Sequence, residues 1–185
     1  MGTTSNFSLP YPDSTDAPNI PADLQALADK VDLMLSLPDP IGLGGSGQNT
    51  ITLTTFSALP TTPISTNMTN PSSTHDMLCL VGISAFMAST SAATECQAAL
   101  SATGGLSITA GSTGGNGILA TGENLLTTVG SISSSNQFSS MIPVIIPAGA
   151  AAVTFAMFAR RSNTSNACYL LNPAIRVIPI RFMIP

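Results

Sequence analysis

The sequence predicts a mainly β protein: an extended N-terminal arm, one short helix, then a jelly-roll-like β-sandwich head. Three observations lead there. Charged residues make up 8% of the 185 residues while apolar ones reach 44%, against about 25% charged in ordinary soluble domains. Short β-branched runs are cut by 15 Gly and 14 Pro, the pattern of strands and turns. Helical periodicity is confined to residues 21–36. A net charge of −4 with so much apolar content argues against disorder. The length suits one domain with an appended segment.

Residues 1–20 read as a docking arm. Pro10, Pro12, Pro18 and Pro21 keep the backbone extended, since proline fixes φ and restricts the residue before it. Phe7, Leu9 and Tyr11 alternate, so one side of the strip can bury against another protein.

Residues 21–37 carry the helix. Pro21 suits a first-turn position, Asn19 stands where a cap belongs, and Asp23 favours the positive end of the helix dipole. Pro38 stops it. Ile20, Leu24, Leu27, Val31 and Met34 follow a 4-3-4-3 spacing, a narrow heptad seam. So few apolar side chains cannot offset the entropy of ordering sixteen residues, so the helix must pack on something. Residues 38–47, with Pro38, Pro40 and four glycines, read as a linker. This fencing favours self-association of the helix over packing on its own domain.

The head is expected over residues 48–185, with eight to ten short strands in a sandwich. Candidates are residues 50–56, 77–88, 95–100, 106–109, 118–120, 125–129, 137–142, 150–160, 167–171 and 174–184. The run at 77–88 is apolar on both faces and reads as a central strand. Residues 141–159 are hydrophobic enough to suggest a membrane span, but Pro143, Pro147 and Gly149 break it into two strands joined by a turn. No membrane insertion is expected. The final strand shows apolar residues on both sides, so it should lie buried between layers or subunits; Ile178, Ile180 and Phe182 are its candidate oligomer-interface residues. Pro179 pushes that strand towards an edge or a bulge.

Composition narrows the chemistry. Five basic residues are too few for a phosphate-binding surface, so nucleic acid is not an expected partner. Arg160, Arg161, Arg176 and Arg181 read as surface or intersubunit pairing groups. Cys79, Cys96 and Cys168 are far apart in sequence and lack metal-ligand spacing. They read as buried free thiols, with one disulfide plus a leftover thiol as the other reading. His75 is the single histidine and reads as a strand-edge residue, since no nucleophile motif accompanies it. Glu95 and Glu123 are too sparse to signal a glycosidase pair. No catalytic, cofactor or metal site is expected, and no secretory signal is visible at the N-terminus.

Residues 2–7 (Gly-Thr-Thr-Ser-Asn-Phe), 10–18 (Pro-Tyr-Pro-Asp-Ser-Thr-Asp-Ala-Pro) and 20–32 (Ile-Pro-Ala-Asp-Leu-Gln-Ala-Leu-Ala-Asp-Lys-Val-Asp) together resemble the N-terminus of small virion appendage proteins of tailed bacteriophages. The likeness is strongest to minor tail proteins and tail fibres of phages infecting actinobacteria, and it covers about the first 35 residues. It implies that Phe7, Leu9 and Tyr11 dock on other virion proteins and that the helix forms a homotrimeric bundle. It also implies that the head, with its generic likeness to trimeric jelly rolls of the C1q/TNF kind, faces a host-surface glycan or protein. The chain would be assembled into virions in the host cytoplasm. The trimer comes from the resemblance, because Leu27 and Val31 alone lean towards two strands on the coiled-coil rule. There is no repetitive shaft, so a short tail fibre or spike is expected, with a capsid decoration or head fibre as the alternative. A carbohydrate-active enzyme is a remote alternative, and so is a secreted adhesin.

Overall fold

The computed structural model describes residues 2–3, 10–11, 20–91, 94–111, 113–115, 118–123, 125–128 and 136–183. The chain divides into two compact units, residues 1–37 and 38–185.

In the first unit, β1 (Gly2–Thr3) pairs antiparallel with β2 (Pro10–Tyr11), Gly2 opposite Tyr11. The helix α1 runs over Ile20–Leu35, one residue ahead of the 21–36 periodicity at each end and closing two residues before the end of the 21–37 segment. Gln25 Nε2 donates to Asp29 Oδ1 at 2.6 Å one turn on. The Ser36 hydroxyl donates to Leu33 O at 2.8 Å, and Ser36 N donates to Asp32 O at 2.9 Å and to the same Leu33 carbonyl at 3.3 Å, so these two carbonyls of the last turn are satisfied.

The second unit holds β3 (Ile41–Gly44), β4 (Gln48–Ile51), β5 (Ser57–Ala58), β6 (Ser65–Met68), β7 (Asp76–Ser89), β8 (Cys96–Gly104), β9 (Thr113–Gly115), β10 (Ile118–Glu123), β11 (Leu125–Thr128), β12 (Asn136–Ile146), β13 (Val153–Arg161) and β14 (Cys168–Met183). Among the described residues these form two antiparallel sheets. The larger has the order β3-β14-β7-β12-β10-β9, with β4 also on β14; the smaller has the order β11-β8-β13-β5, with β6 also on β13. The architecture is a β-sandwich, as the strand-and-turn pattern predicts.

Strict alternation builds the core. Met77, Cys79, Val81, Ile83, Ala85 and Met87 of β7 are buried, as are Ile142, Val144 and Ile146 of β12 and Val153, Phe155, Met157 and Ala159 of β13. Alternate residues of a strand point to opposite faces, so these three strands give every second side chain to the space between the sheets, while β8 is buried at five successive positions, 98–102. The run at 77–88 is the central strand expected. The hydrophobic span at 141–159 is two strands, β12 and β13, joined by a turn with Gly149 at φ +63°. No helix among the described residues is long and apolar enough to cross a membrane.

Three features depart from the sequence expectation. First, the Pro/Gly segment 38–47 contains β3, which pairs with β14 from Ile41↔Val177 to Gly44↔Ala174. Its glycines suggest a linker, yet Gly42 serves close approach: an added Cβ would stand 3.1 Å from Ile175 O. Second, the candidates at 167–171 and 174–184 are one strand, β14. It crosses the gap through a register shift between Leu171 and Ala174. Asn172 there takes φ +48°, and its N–H donates to Gly47 O at 3.1 Å. Asn tolerates that conformation better than most residues, and a bulge needs it. Third, β14 is not an edge strand. It lies between β3 and β4 on one side and β7 on the other, and Pro179 is accommodated by a second register shift, between Pro179 and Arg181.

Two buried amides hold the loops. The Asn49 side-chain oxygen accepts from Thr61 N at 3.0 Å and Thr62 N at 2.8 Å. Asn70 Nδ2 donates to His75 O at 2.9 Å and to Ile146 O and Pro147 O at 3.1 Å, while its oxygen accepts from Ser72 N at 3.0 Å.

Candidate functional site

The two outer faces of the sandwich differ in chemistry. On the smaller sheet the exposed groups satisfy one another. Arg160 Nε donates to Gln97 Oε1 at 2.6 Å, Gln97 Nε2 donates to Glu95 Oε2 at 3.0 Å, and the Arg160 guanidinium lies 4.5 Å from the centre of the Phe56 ring. Thr154 donates to Asn67 Oδ1 at 2.7 Å.

The outer face of the larger sheet is apolar across three strands. The register sets Ile178, Leu80 and Pro143 in one row and Arg181, Leu78 and Ile145 in the next. Met141 is 52% exposed and Ile180 42% exposed, and the rest of this band is half-buried except for exposed Arg181. Beside it, Gly42, Arg176, Gly82 and Met141 form a row, and small residues there leave a groove of about 810 Å³. Gly82 has no side chain because Met141 needs the space: a Cβ would stand 2.7 Å from Met141 Sδ. Among the described residues, the charged side chains on the three central strands of this face are Arg176, Arg181 and, at the start of β7, Asp76, whose carboxylate accepts from Ala148 N at 2.9 Å. The exposed apolar groups of the larger sheet are thus gathered on one face, with Met141 and Ile180 the most open of them.

The three residues expected at an oligomer interface on the final strand differ in their placement. Ile178 lies in the apolar band, and Ile180 is the extra residue of the second bulge. Phe182 is corrected. It is only 6% exposed, within the sandwich core, opposite Met77. The bulge reverses the alternation, so Phe182 turns inward instead of following Ile178 outward. Leu78, Leu80, Met141 and Ile145 were not singled out in the sequence, and Pro143 was read only as a breaker. The signal for Leu78 and Leu80 was the two-sided apolar character of residues 77–88, and for the others the hydrophobic span 141–159.

On α1, Leu24 is 59% and Val31 38% exposed, and Leu27 is half-buried. Ile20 lies at the first position of α1, and Met34 lies in its last turn; their side chains, like that of Tyr11 in β2, are outside the described residues. Phe7 and Leu9 lie outside them altogether.

His75 precedes β7, where its Nδ1 is 2.8 Å from the Thr74 hydroxyl and 3.5 Å from the Ser72 hydroxyl. Ser72 Oγ accepts from His75 N at 2.9 Å, the geometry of a turn cap. Glu95 is engaged by Gln97, and Glu123 lies at the end of β10. Among the described residues no group of three or more His, Cys, Asp or Glu could hold a metal ion. All three cysteines are free and buried. Burial pushes the Cys79 thiol up to about 12, since desolvation penalises the thiolate.

No protein-family model matches this chain, and no curated protein matches it. Among solved structures it is similar to a chain of Desmodium yellow mottle tymovirus, at 14% identity over 80% of this chain and 92% of that one, with a TM-score of 0.27. A likeness at that score carries no argument about fold or function.

Proposed function

We propose that this protein is a non-enzymatic structural component of a tailed-bacteriophage virion, working as a short homotrimeric tail fibre or spike. The observation that carries the self-association is the contrast between the two outer faces: polar groups are paired on the smaller sheet, and apolar groups are unpaired on the larger. Exposed Leu24 and Val31 on α1 support it, because an isolated sixteen-residue helix is marginal in water. The resemblance of residues 2–32 to phage appendage proteins supports the virion setting and the trimer. On this reading the arm docks on other virion proteins, the helix and the apolar sheet face meet sister copies, and the loops face the host surface.

Multi-angle light scattering of the purified chain is expected to give three times the monomer mass, and Leu27→Asp to lower it. A monomer in dilute solution would overturn the reading. Deletion of residues 1–20 is expected to leave the oligomer intact and abolish incorporation into particles. Incorporation of the truncated chain would remove the arm as anchor. Electron microscopy of labelled particles is expected to show label at the tail; label over the shell would move the protein to the head.

A further inference from the structure

Two loops step from one sheet to the other at the same end of the sandwich. Residues 90–95 lead from β7 into β8, and residues 162–167 lead from β13 into β14. Cys96 is the first residue after one crossing and Cys168 the first after the other. In the smaller sheet Cys96 stands opposite Arg161, and in the larger Cys168 stands opposite Ser89. Both side chains point into the core and are fully buried.

Their contacts are reciprocal. Cys168 Sγ donates to Glu95 O, the carbonyl before Cys96, at 3.3 Å. Cys96 Sγ lies 4.0 Å from Tyr169 O, the carbonyl after Cys168. Each thiol therefore lies against the backbone that flanks the other cysteine. The surrounding loops are tied together: Thr90 N donates to Ala167 O at 3.1 Å and Ser162 N to Glu95 O at 3.0 Å, and Arg161 donates to Asn166 O at 2.7 Å. Arg161 Nε is buried beside them with no hydrogen-bond partner.

We propose that Cys96 and Cys168 are a modification site: a dithiol that oxidises to a disulfide and staples the two sheets together at this end of the head. The partner oxidant is a small-molecule disulfide. The Cys168 thiolate attacks one of its sulfurs and releases one small thiol. The Cys96 sulfur, giving up its proton, then displaces the second small thiol and leaves the Cys96–Cys168 bond. Two protein thiols are oxidised and one small disulfide is reduced to two thiols. The assignment of roles follows from charge. The neighbouring Cys96 thiol, and then the Arg161 guanidinium, lower the Cys168 thiol, while Cys168 and burial raise that of Cys96. Cys79, on β7 with no thiol neighbour in its own strand, is the built-in control.

The test is refolding of the full chain from urea in a mixed reduced and oxidised glutathione buffer, which removes burial as a barrier. Peptide mapping without reductant is expected to find Cys96 joined to Cys168 and Cys79 free, with the protein lighter by two hydrogens. The oxidised form is expected to melt about 5–15 °C above the reduced form, since a bridge closing a loop of roughly 70 residues constrains the unfolded chain. Cys79→Ser should still form the bridge, and Cys96→Ser should not. Three free thiols after refolding, a bond that includes Cys79, or an oxidised form that melts no higher would each overturn the proposal.

Discussion

Met141→Glu combined with Ile180→Glu is expected to reduce the oligomer to monomers while each subunit stays folded. Both side chains are about half exposed in the single chain, so the isolated head should lose little, within about 0.5 kcal/mol for each change at such a site. In the assembly the same positions would bury carboxylates against apolar neighbours. An unpaired buried charge costs about 3–5 kcal/mol, which weakens association more than roughly 100-fold. Light scattering at micromolar concentration reads the mass, and circular dichroism confirms the fold. Unchanged mass would remove this face from the interface and leave α1 as the remaining candidate. The matched control is Thr154→Glu on the smaller sheet, which should leave the mass unaltered.

Asn70→Asp is expected to be the most damaging single-atom-scale change in the head. The amide shares its two N–H donors among three carbonyls, from His75, Ile146 and Pro147, and is only 4% exposed. A carboxylate there would turn an acceptor towards acceptors and strand all three. The expected loss is about 3–5 kcal/mol, a large part of the ~5–15 kcal/mol that holds a domain together. The pH dependence has a definite sign. The introduced carboxyl is desolvated and faces carbonyl oxygens, so its folded pKa lies above its unfolded value of about 3.9. Its protonated form donates one hydrogen bond. The stability this recovers is fully present below the unfolded pKa and is lost as pH rises through the folded one. Thermal melts at about pH 4 and about pH 8 should show the deficit against the parent growing with pH. Asn70→Ala, with no titrating group, should show a deficit that does not change. A pH-independent deficit for Asn70→Asp would show that the amide donors are not what the site depends on.

The sandwich was legible where its rule is periodic. Residues 77–88 are an apolar run on both faces bounded by polar residues, and they form the central strand. The helix was legible because Pro21 and Pro38 bracket a seam of period 3.5, and both ends fell within a residue of the 21–36 periodicity. What periodicity cannot carry is a change of register. Ile178, Ile180 and Phe182 alternate in sequence and so look like one face, but the bulge after Pro179 inserts a residue and sends Phe182 to the other side. Asn172 does the same at the other end of β14, joining what look like two strands. β3 was missed because glycine marks flexibility in a sequence, whereas at Gly42 it marks close contact with Ile175. The thiol pair was illegible for a different reason: Cys96 and Cys168 meet only because two separate crossings end at one corner. For the candidate surface, half the information was present. A strand apolar on both sides requires cover on both, and the fold supplies only one.

The place of β14 also sets a schedule for the growing polypeptide. Gly47 and Asn172, joined by a hydrogen bond, are 125 residues apart. At ordinary rates of synthesis that separation is about 6–25 s on the ribosome. For that interval β3 and β4 have nothing to pair with, and β7 lacks one flank. Such distant pairing is slow to nucleate. A nascent chain halted before residue 168 would also lack Ile178 and Ile180, so on this reading unfinished copies would be excluded from the particle by geometry alone, with no separate inspector.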